Sequence, residues 1–190
     1  SKVLVTYKGH TDAVERVEWS LDGKSIASAS HDGTVQIWEA MSGQHIITYA
    51  DHGVTVWSVA WSPDGKSIVS GTGSAGLYAP VTSNNSVKVW DAATGKTVVT
   101  YNGHDHSGGG QAYGVSWSPD GTHIVSGGDD NTAQVWDAAT GQTTVVYTGH
   151  SSIVFNVAWS PDGKSIASAG VDGPVQVWSP TAAPSAPPTA

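Results

Sequence analysis

Eight histidines and sixteen acidic residues sit in a 190-residue chain that has no cysteine. Histidines beside carboxylates are the raw material of metal sites and general bases, and His104, Asp105 and His106 adjoin a glycine run that would let them converge. The missing cysteines exclude disulfides, thiolate-bound zinc, iron–sulfur clusters and thiol catalysis. Four histidines recur at one phase, in Gly9-His10, Asp51-His52, Gly103-His104 and Gly149-His150. Regular recurrence argues for a structural task, so the chain is expected to hold no metal and no cofactor. Gly71-Thr72-Gly73-Ser74-Ala75-Gly76 has dinucleotide-loop spacing, but Pro80 and turn residues follow where a phosphate-binding helix would begin. The Gly-Lys-Ser triplets at Gly23, Gly65 and Gly163 lack the upstream glycine of a phosphate loop and read as turns. Asn84-Asn85-Ser86 fits a glycosylation triplet at Asn84, with nothing else pointing to secretion. The remaining Ser, His and Asp residues mostly fall at repeated positions, so no catalytic constellation emerges and no enzyme is expected.

The elements that must position these residues are set by tryptophan. Trp19, Trp61, Trp117 and Trp159 each precede a serine, an Asp-Gly turn and an apolar-small run, with spacings of 42, 56 and 42. Trp38, Trp90, Trp136 and Trp178 close strands reading VQIW, VKVW, AQVW and VQVW, with spacings of 52, 46 and 42. A unit of 42 residues, used four times with one insertion of 10 and one of 4, reproduces all six intervals. Within a unit, short alternating segments separated by Gly turns predict four antiparallel strands, a to d. In the first unit these fall near Val14 to Ser20, Ser25 to Ser30, Val35 to Glu39 and His45 to Tyr49. No stretch has a sustained 3.6-residue apolar period, so almost no helix is expected.

Composition bounds the partners. Eight basic against sixteen acidic residues give a formal charge of -8, which repels phosphate backbones and anionic lipid, so neither nucleic acid nor membrane is an expected partner. No apolar run approaches the roughly 20 residues of a membrane helix. A soluble chain, with the cytoplasm favoured, is the expectation; the start at Ser1 suggests processing or excision.

The Gly-His unit starts, together with Trp90-Asp91 and Trp136-Asp137 ending strand c, resemble the WD-repeat β-propeller family; Trp38-Glu39 and Trp178-Ser179 depart only in the last residue. The resemblance implies an all-β propeller of four-stranded blades over residues 1–179. It comprises a lone d strand at 3–7, units at about 10–49, 52–101, 104–147 and 150–178, and a Pro/Ala-rich tail at 180–190. It also implies a side-chain network in each unit: His10, Ser28, Asp32 and Trp38; His52, Ser70, Asn84 and Trp90; His104, Ser126, Asp130 and Trp136; His150, Ser168, Asp172 and Trp178. Asn84 replaces the aspartate of the other three and should weaken its network, because an amide accepts less strongly than a carboxylate.

The two insertions, around Thr72 to Ser83 and Asp105 to Gln111, lie in a b-to-c turn and a d-to-a loop, which share one face. Aromatic accounting points to the same face. Eight tryptophans and the strand-d tyrosines Tyr7, Tyr49, Tyr101 and Tyr147 are repeat packing, leaving Trp57, Tyr78, Tyr113 and Phe155. Three of these share the phase of Glu15. The resemblance implies that this position, with Thr55 and Gln111 two residues earlier and His31, Ser83 and Asp129 before the network aspartate, faces the mouth of the central channel. An aromatic set beside Glu15 and Asp129 suits a cationic side chain of a peptide or protein partner. The other reading of the same rings is inner packing where blades converge.

Family rings usually hold about seven blades, turning about 51° each; four would need about 90°, while two four-blade chains would need about 45°. Strand d at one end and strands a, b and c at the other predict an eight-bladed homodimer closed by terminal strand exchange. A self-closed four-blade ring and a fragment of a longer array are the alternatives. Two functions follow: a binding scaffold, or a structural or designed module without a dedicated ligand. Near-identical runs such as WSLDGKSIASA and WSPDGKSIASA imply recent duplication or engineering.

Overall fold

The computed structural model describes residues 1–74, 85–104 and 110–181. Among them there are fifteen strands and no helix. Unit one supplies β1 (Val14–Trp19), β2 (Ser25–Ser30), β3 (Val35–Glu39) and β4 (His45–Tyr49). Unit two supplies β5 (Val56–Trp61), β6 (Ser67–Thr72), β7 (Val87–Asp91) and β8 (Thr97–Tyr101). Unit three supplies β9 (Ala112–Trp117), β10 (His123–Gly128), β11 (Ala133–Asp137) and β12 (Thr143–Tyr147). Unit four supplies β13 (Val154–Trp159), β14 (Ile166–Gly170) and β15 (Val175–Trp178). Each unit is one antiparallel sheet in chain order, with four strands in the first three and three in the last.

The a-to-b turns show how sequence makes a blade. Ser20 Oγ donates to Asp22 Oδ1 and accepts from the Ser25 N–H, while Gly23 adopts φ +70°. The same serine, aspartate and glycine recur at Ser62, Ser118 and Ser160. Only glycine takes that φ freely, which is why Asp-Gly marks the turn. The turn serine and backbone hold these carboxylates below the usual range; for Asp120 the serine, Thr122 N–H and Thr122 hydroxyl bring it to about 2. At the b-to-c turn, Gly33 and Gly173 have φ +82° and +98°, and unit three uses Asn131 at φ +64°.

Successive sheets pack through their a strands, β1 on β5, β5 on β9 and β9 on β13. Glycine permits the close approach: a Cβ on Gly71 would stand 2.8 Å from Ala112 O of the next blade. Between the first two blades the core is aliphatic with one tyrosine and one tryptophan, including Val35, Ile37, Tyr49, Val56, Ile68 and Trp90. A groove between the a strands is lined by residues of all four, including Arg16, Ala60, Ser116 and Val157, and Arg16 donates to Asn156 Oδ1 at 3.1 Å.

Residues 3–7 depart from the expected strand. They form no ladder: β15, the c strand among the described residues that lacks a d strand, pairs only with β14. They nevertheless lie where d strands lie in the other units: Tyr7 stacks on Trp38 at 4.8 Å as Tyr49 stacks on Trp90 at 4.5 Å, and Val5 approaches Gly43 as Ile47 approaches Gly95. The opposite end is also open, with Val175 and Val177 of β15 exposed.

Candidate functional site

Three of the four networks are closed. His10 Nδ1 lies 2.8 Å from Asp32 Oδ2, His10 Nε2 lies 2.8 Å from Ser28 Oγ, and Trp38 Nε1 donates to Ser28 Oγ at 3.2 Å. His104, Ser126, Asp130 and Trp136 repeat this geometry, as do His150, Ser168, Asp172 and Trp178. A carboxylate only accepts, so Nδ1 carries the proton. Burial pushes the Asp32 carboxyl up, but hydrogen bonds from Thr34, the Thr11 N–H and His10 more than offset it and hold it at about 2. These groups satisfy one another and leave no hydroxyl poised as a nucleophile.

Unit two keeps half of this. His52 Nε2 lies 2.6 Å from Ser70 Oγ, and Trp90 Nε1 donates to Ser70 at 3.0 Å. His52 Nδ1 is buried and has no hydrogen-bond partner among the described residues, and Asn84 lies outside them. Burial drives the His52 imidazole down to about 3, reinforced by the Lys88 ammonium.

One layer of these networks is not legible in the histidine and tryptophan pattern. Tyr7 donates to Gln36 Oε1 at 2.6 Å, Tyr101 to Gln134 Oε1 at 2.6 Å, and Tyr147 to Gln176 Oε1, so the d strand of one unit is tied to the c strand of the next. The signal was present: the glutamine before the strand-c apolar residue recurs as VQIW, AQVW and VQVW, and breaks only at Lys88. Lys88 Nζ donates instead to Asp51 O at 2.7 Å and Asp51 Oδ2 at 3.0 Å, and Tyr49 donates to Asp51 Oδ2 at 3.3 Å while keeping the threonine contact, to Thr97 Oγ1 at 2.8 Å, that Tyr101 makes with Thr143.

At the other end of the blades, Glu15, Trp57, Tyr113 and Phe155 prove to be the same backbone feature. In β1 the pairing runs Val14 with Ser30 and then Arg16 with Ala29, leaving Glu15 as the extra residue of a β-bulge. Trp57, Tyr113 and Phe155 are skipped identically in β5, β9 and β13. A bulge takes one side chain out of the in-and-out alternation and re-aims it. The re-aimed rings touch in series, Trp57 on Tyr113 at 5.6 Å and Tyr113 on Phe155 at 5.2 Å, and His31, just after β2, extends the row by packing on Trp57 at 5.0 Å. His31 Nε2 stands 2.7 Å from Glu15 Oε1, so the row ends in a carboxylate.

Exposure differs along the row. Glu15 is exposed, Trp57 and Phe155 are half-buried, and Tyr113 is only 5% exposed, donating its hydroxyl to Gln111 Oε1 at 3.1 Å. Trp57 Nε1 is buried without a hydrogen-bond partner among the described residues. Thr55 and Gln111 are buried, and Asp129 accepts from the Gln111 N–H at 2.9 Å. Tyr78 and Ser83 lie outside the described residues, as do Asp105 and His106. The backbone position that His31 and Asp129 hold, donating to Ala13 O and Gln111 O, is taken in unit two by Gly73, which donates to Thr55 O at 3.1 Å. Among the described residues no group of three His, Cys, Asp or Glu side chains converges as a metal site.

The comparisons agree with this architecture. The model of the WD domain, G-beta repeat, matches residues 1–39, 43–91, 95–137 and 141–179. The chain is 37% identical over 120 residues to the WD40 repeat-containing protein HOS15 of Arabidopsis thaliana, covering 63% of this chain and 19% of that protein. It is 27% identical over 124 residues to THO complex subunit 3 of the same plant, covering 65% and 36%. It thus spans about a fifth to a third of those relatives. Among solved structures, a chain of the mitotic checkpoint complex superposes with TM-score 0.77 at 30% identity, covering 93% of this chain and 52% of that one. The computationally designed Ika4 protein superposes with TM-score 0.75 at 27% identity, covering 94% and 98%. With four matched repeats, four blades and the repeated His-Ser-Trp contacts, the chain belongs to the WD40 repeat family.

Proposed function

We propose that the chain is a non-catalytic interaction scaffold that takes a peptide or protein segment at the mouth of the groove between its a strands. WD40 proteins generally act as protein-interaction scaffolds, and two of the similar proteins are named as parts of assemblies. The observation that carries the reading is the bulge row. Four blades each spend a bulge on one side chain, and three of the four are aromatic. Half-buried Trp57 and Phe155 offer faces for stacking, and Glu15 with Asp129 supplies negative charge for a lysine or arginine of the ligand. A peptide array with and without basic residues, probed with the wild-type chain and with Trp57→Ala and Glu15→Gln, tests this. Capture of basic peptides that both substitutions abolish, with cooperative unfolding retained, supports it. Equal capture by the variants overturns it, and so does loss of folding in Trp57→Ala, since the ring is then packing.

A second reading concerns the open edges. Val3 and Leu4 are 75% and 76% exposed at one end, and Val175 and Val177 are 69% and 71% exposed at the other. Unpaired apolar edges invite strand addition. A second copy would present its residues 3–7 to β15 of the first and the reverse, completing two blades and an eight-bladed ring. Light scattering reads this directly: a two-chain mass supports it, and a one-chain mass at high micromolar concentration ends it. The same edges also fit adjoining repeats of a longer chain.

A further inference from the structure

Unit two differs from its siblings at two coupled places. Its histidine Nδ1 lacks the carboxylate that Asp32, Asp130 and Asp172 supply elsewhere, and the buried glutamine of strand c is replaced by a cation, Lys88. The imidazole itself keeps its pose. Nε2 still meets the strand-b serine, and the ring still stands edge-on to the preceding tyrosine, Tyr49 to His52 at 5.2 Å and 79°. Its Nδ1 therefore points where the other units hold an aspartate. In unit one that aspartate gathers four donors: His10 Nδ1, the Thr11 N–H, the Thr34 N–H and the Thr34 hydroxyl.

A cleft of about 320 Å³ opens at the corresponding place, lined by His52, Ser86, Lys88, Asn85, Thr100 and Asp51. Lys88 is largely buried there, its side chain 14% exposed. Lys88 already pairs with Asp51, yet His52 feels the ammonium more strongly than the Asp51 carboxylate. In the tautomer that the other three units hold, with Nε2 accepting from the strand-b serine, the neutral His52 ring carries an N–H at Nδ1 with no acceptor among the described residues.

We infer that this cleft is a carboxylate-binding site, in which an acidic group from outside the chain accepts from His52 Nδ1 and pairs with Lys88, in the role that the unit's own aspartate has in the other blades. The site is independent of the bulge row, because it sits between the d-to-a loop and strand c of unit two and uses none of those residues. Its failure and the failure of the scaffold reading are therefore separable.

Nitrogen-15 NMR of the histidine rings tests it, with sodium acetate as the probe and sodium chloride at equal ionic strength as the control. The expected result is a saturable shift of His52 Nδ1 with acetate, absent with chloride, while the Nδ1 signals of His10, His104 and His150 stay in place. Lys88→Gln restores the repeat's residue and should weaken acetate by about tenfold through loss of a charged partner. His52→Gln removes Nδ1 but keeps a group for Ser70, and should abolish saturable acetate shifts of the Ser86 and Lys88 amides. An acetylated tripeptide centred on glutamate separates the sources. Binding of both probes assigns the site to an acidic side chain, and binding of acetate alone assigns it to a small carboxylate. No saturable shift, equal shifts at all four histidines, an equal response to chloride, or undiminished binding by His52→Gln overturns the inference.

Discussion

Units two and four carry almost the same turn and b-strand sequence, WSPDGKSIVSG and WSPDGKSIASA, yet they live in different surroundings. In unit two the c strand is enclosed: Val87 and Val89 are 1% and 2% exposed, and Trp90 is fully buried. In unit four the equivalent Val175 and Val177 are exposed and Trp178 is half-buried, although it stacks on Tyr147 at 4.4 Å as Trp90 stacks on Tyr49. Unit one mirrors this at its other flank, where β1 is exposed along most of its length and β5 is mostly buried. A blade is thus specified locally but buried by its neighbours. A repeat array is a chain of nearest-neighbour interfaces, and its end units lack one each.

Several outcomes would sharpen or break that contrast. The largest is charge insertion: Val89→Lys leaves an ammonium in the core between blades and should cost several kcal/mol, enough to abolish the cooperative transition in a urea melt. Val177→Lys, at the equivalent strand position in unit four, should change stability by no more than about 0.5 kcal/mol while eliminating any two-chain mass. Next in size is tryptophan truncation. Trp90→Ala should cost about 3–5 kcal/mol and Trp178→Ala roughly half as much. Equal losses would mean that the β15 edge is covered in solution.

Acid sharpens the comparison of networks. The His52 imidazole is lowered to about 3 by burial, so between its ordinary 6.5 and that value the unfolded chain binds a proton that the folded chain does not. Stability from this group is therefore complete above pH 6.5 and is lost as pH falls, by up to about 1.4 kcal/mol per unit. His52→Gln should flatten the pH 5–6 portion of the profile in urea melts. The paired aspartates act lower: Asp32, held at about 2, contributes stability that is present above its ordinary 3.8 and lost on descending to about 2. A small loss is expected at the turn of unit three. Asn131→Ala should cost about 1 kcal/mol, since Asn tolerates a φ of +64° better than alanine does.

The strand bounds of unit one were legible almost to the residue, because Asp-Gly and Ser-Gly turns punctuate alternating segments. The closed networks were legible through the family resemblance at His10, His104 and His150. The bulges were not, because an extra residue in a ladder shows only when its partner strand is known. Nor was the division of labour within the aromatic row. Tyr113 and Trp57 share a repeat position, but Tyr113 is sealed by Gln111 whereas Trp57 stays half-exposed. The insertion in unit two obscured the ladder phase, hiding Gly73 as the residue that meets Thr55.

By itself the sequence determined the period, the four blades and the turns, and through the family resemblance the His-Ser-Asp-Trp partners of units one, three and four, all of which recur at fixed spacings within a unit. Tertiary structure decided which copies of the same strand are buried, which side chains the bulges turn toward one another, and that Lys88 and Asp51 meet beside His52. Those depend on the neighbouring blade, and a repeat carries the same letters whether or not a neighbour is there.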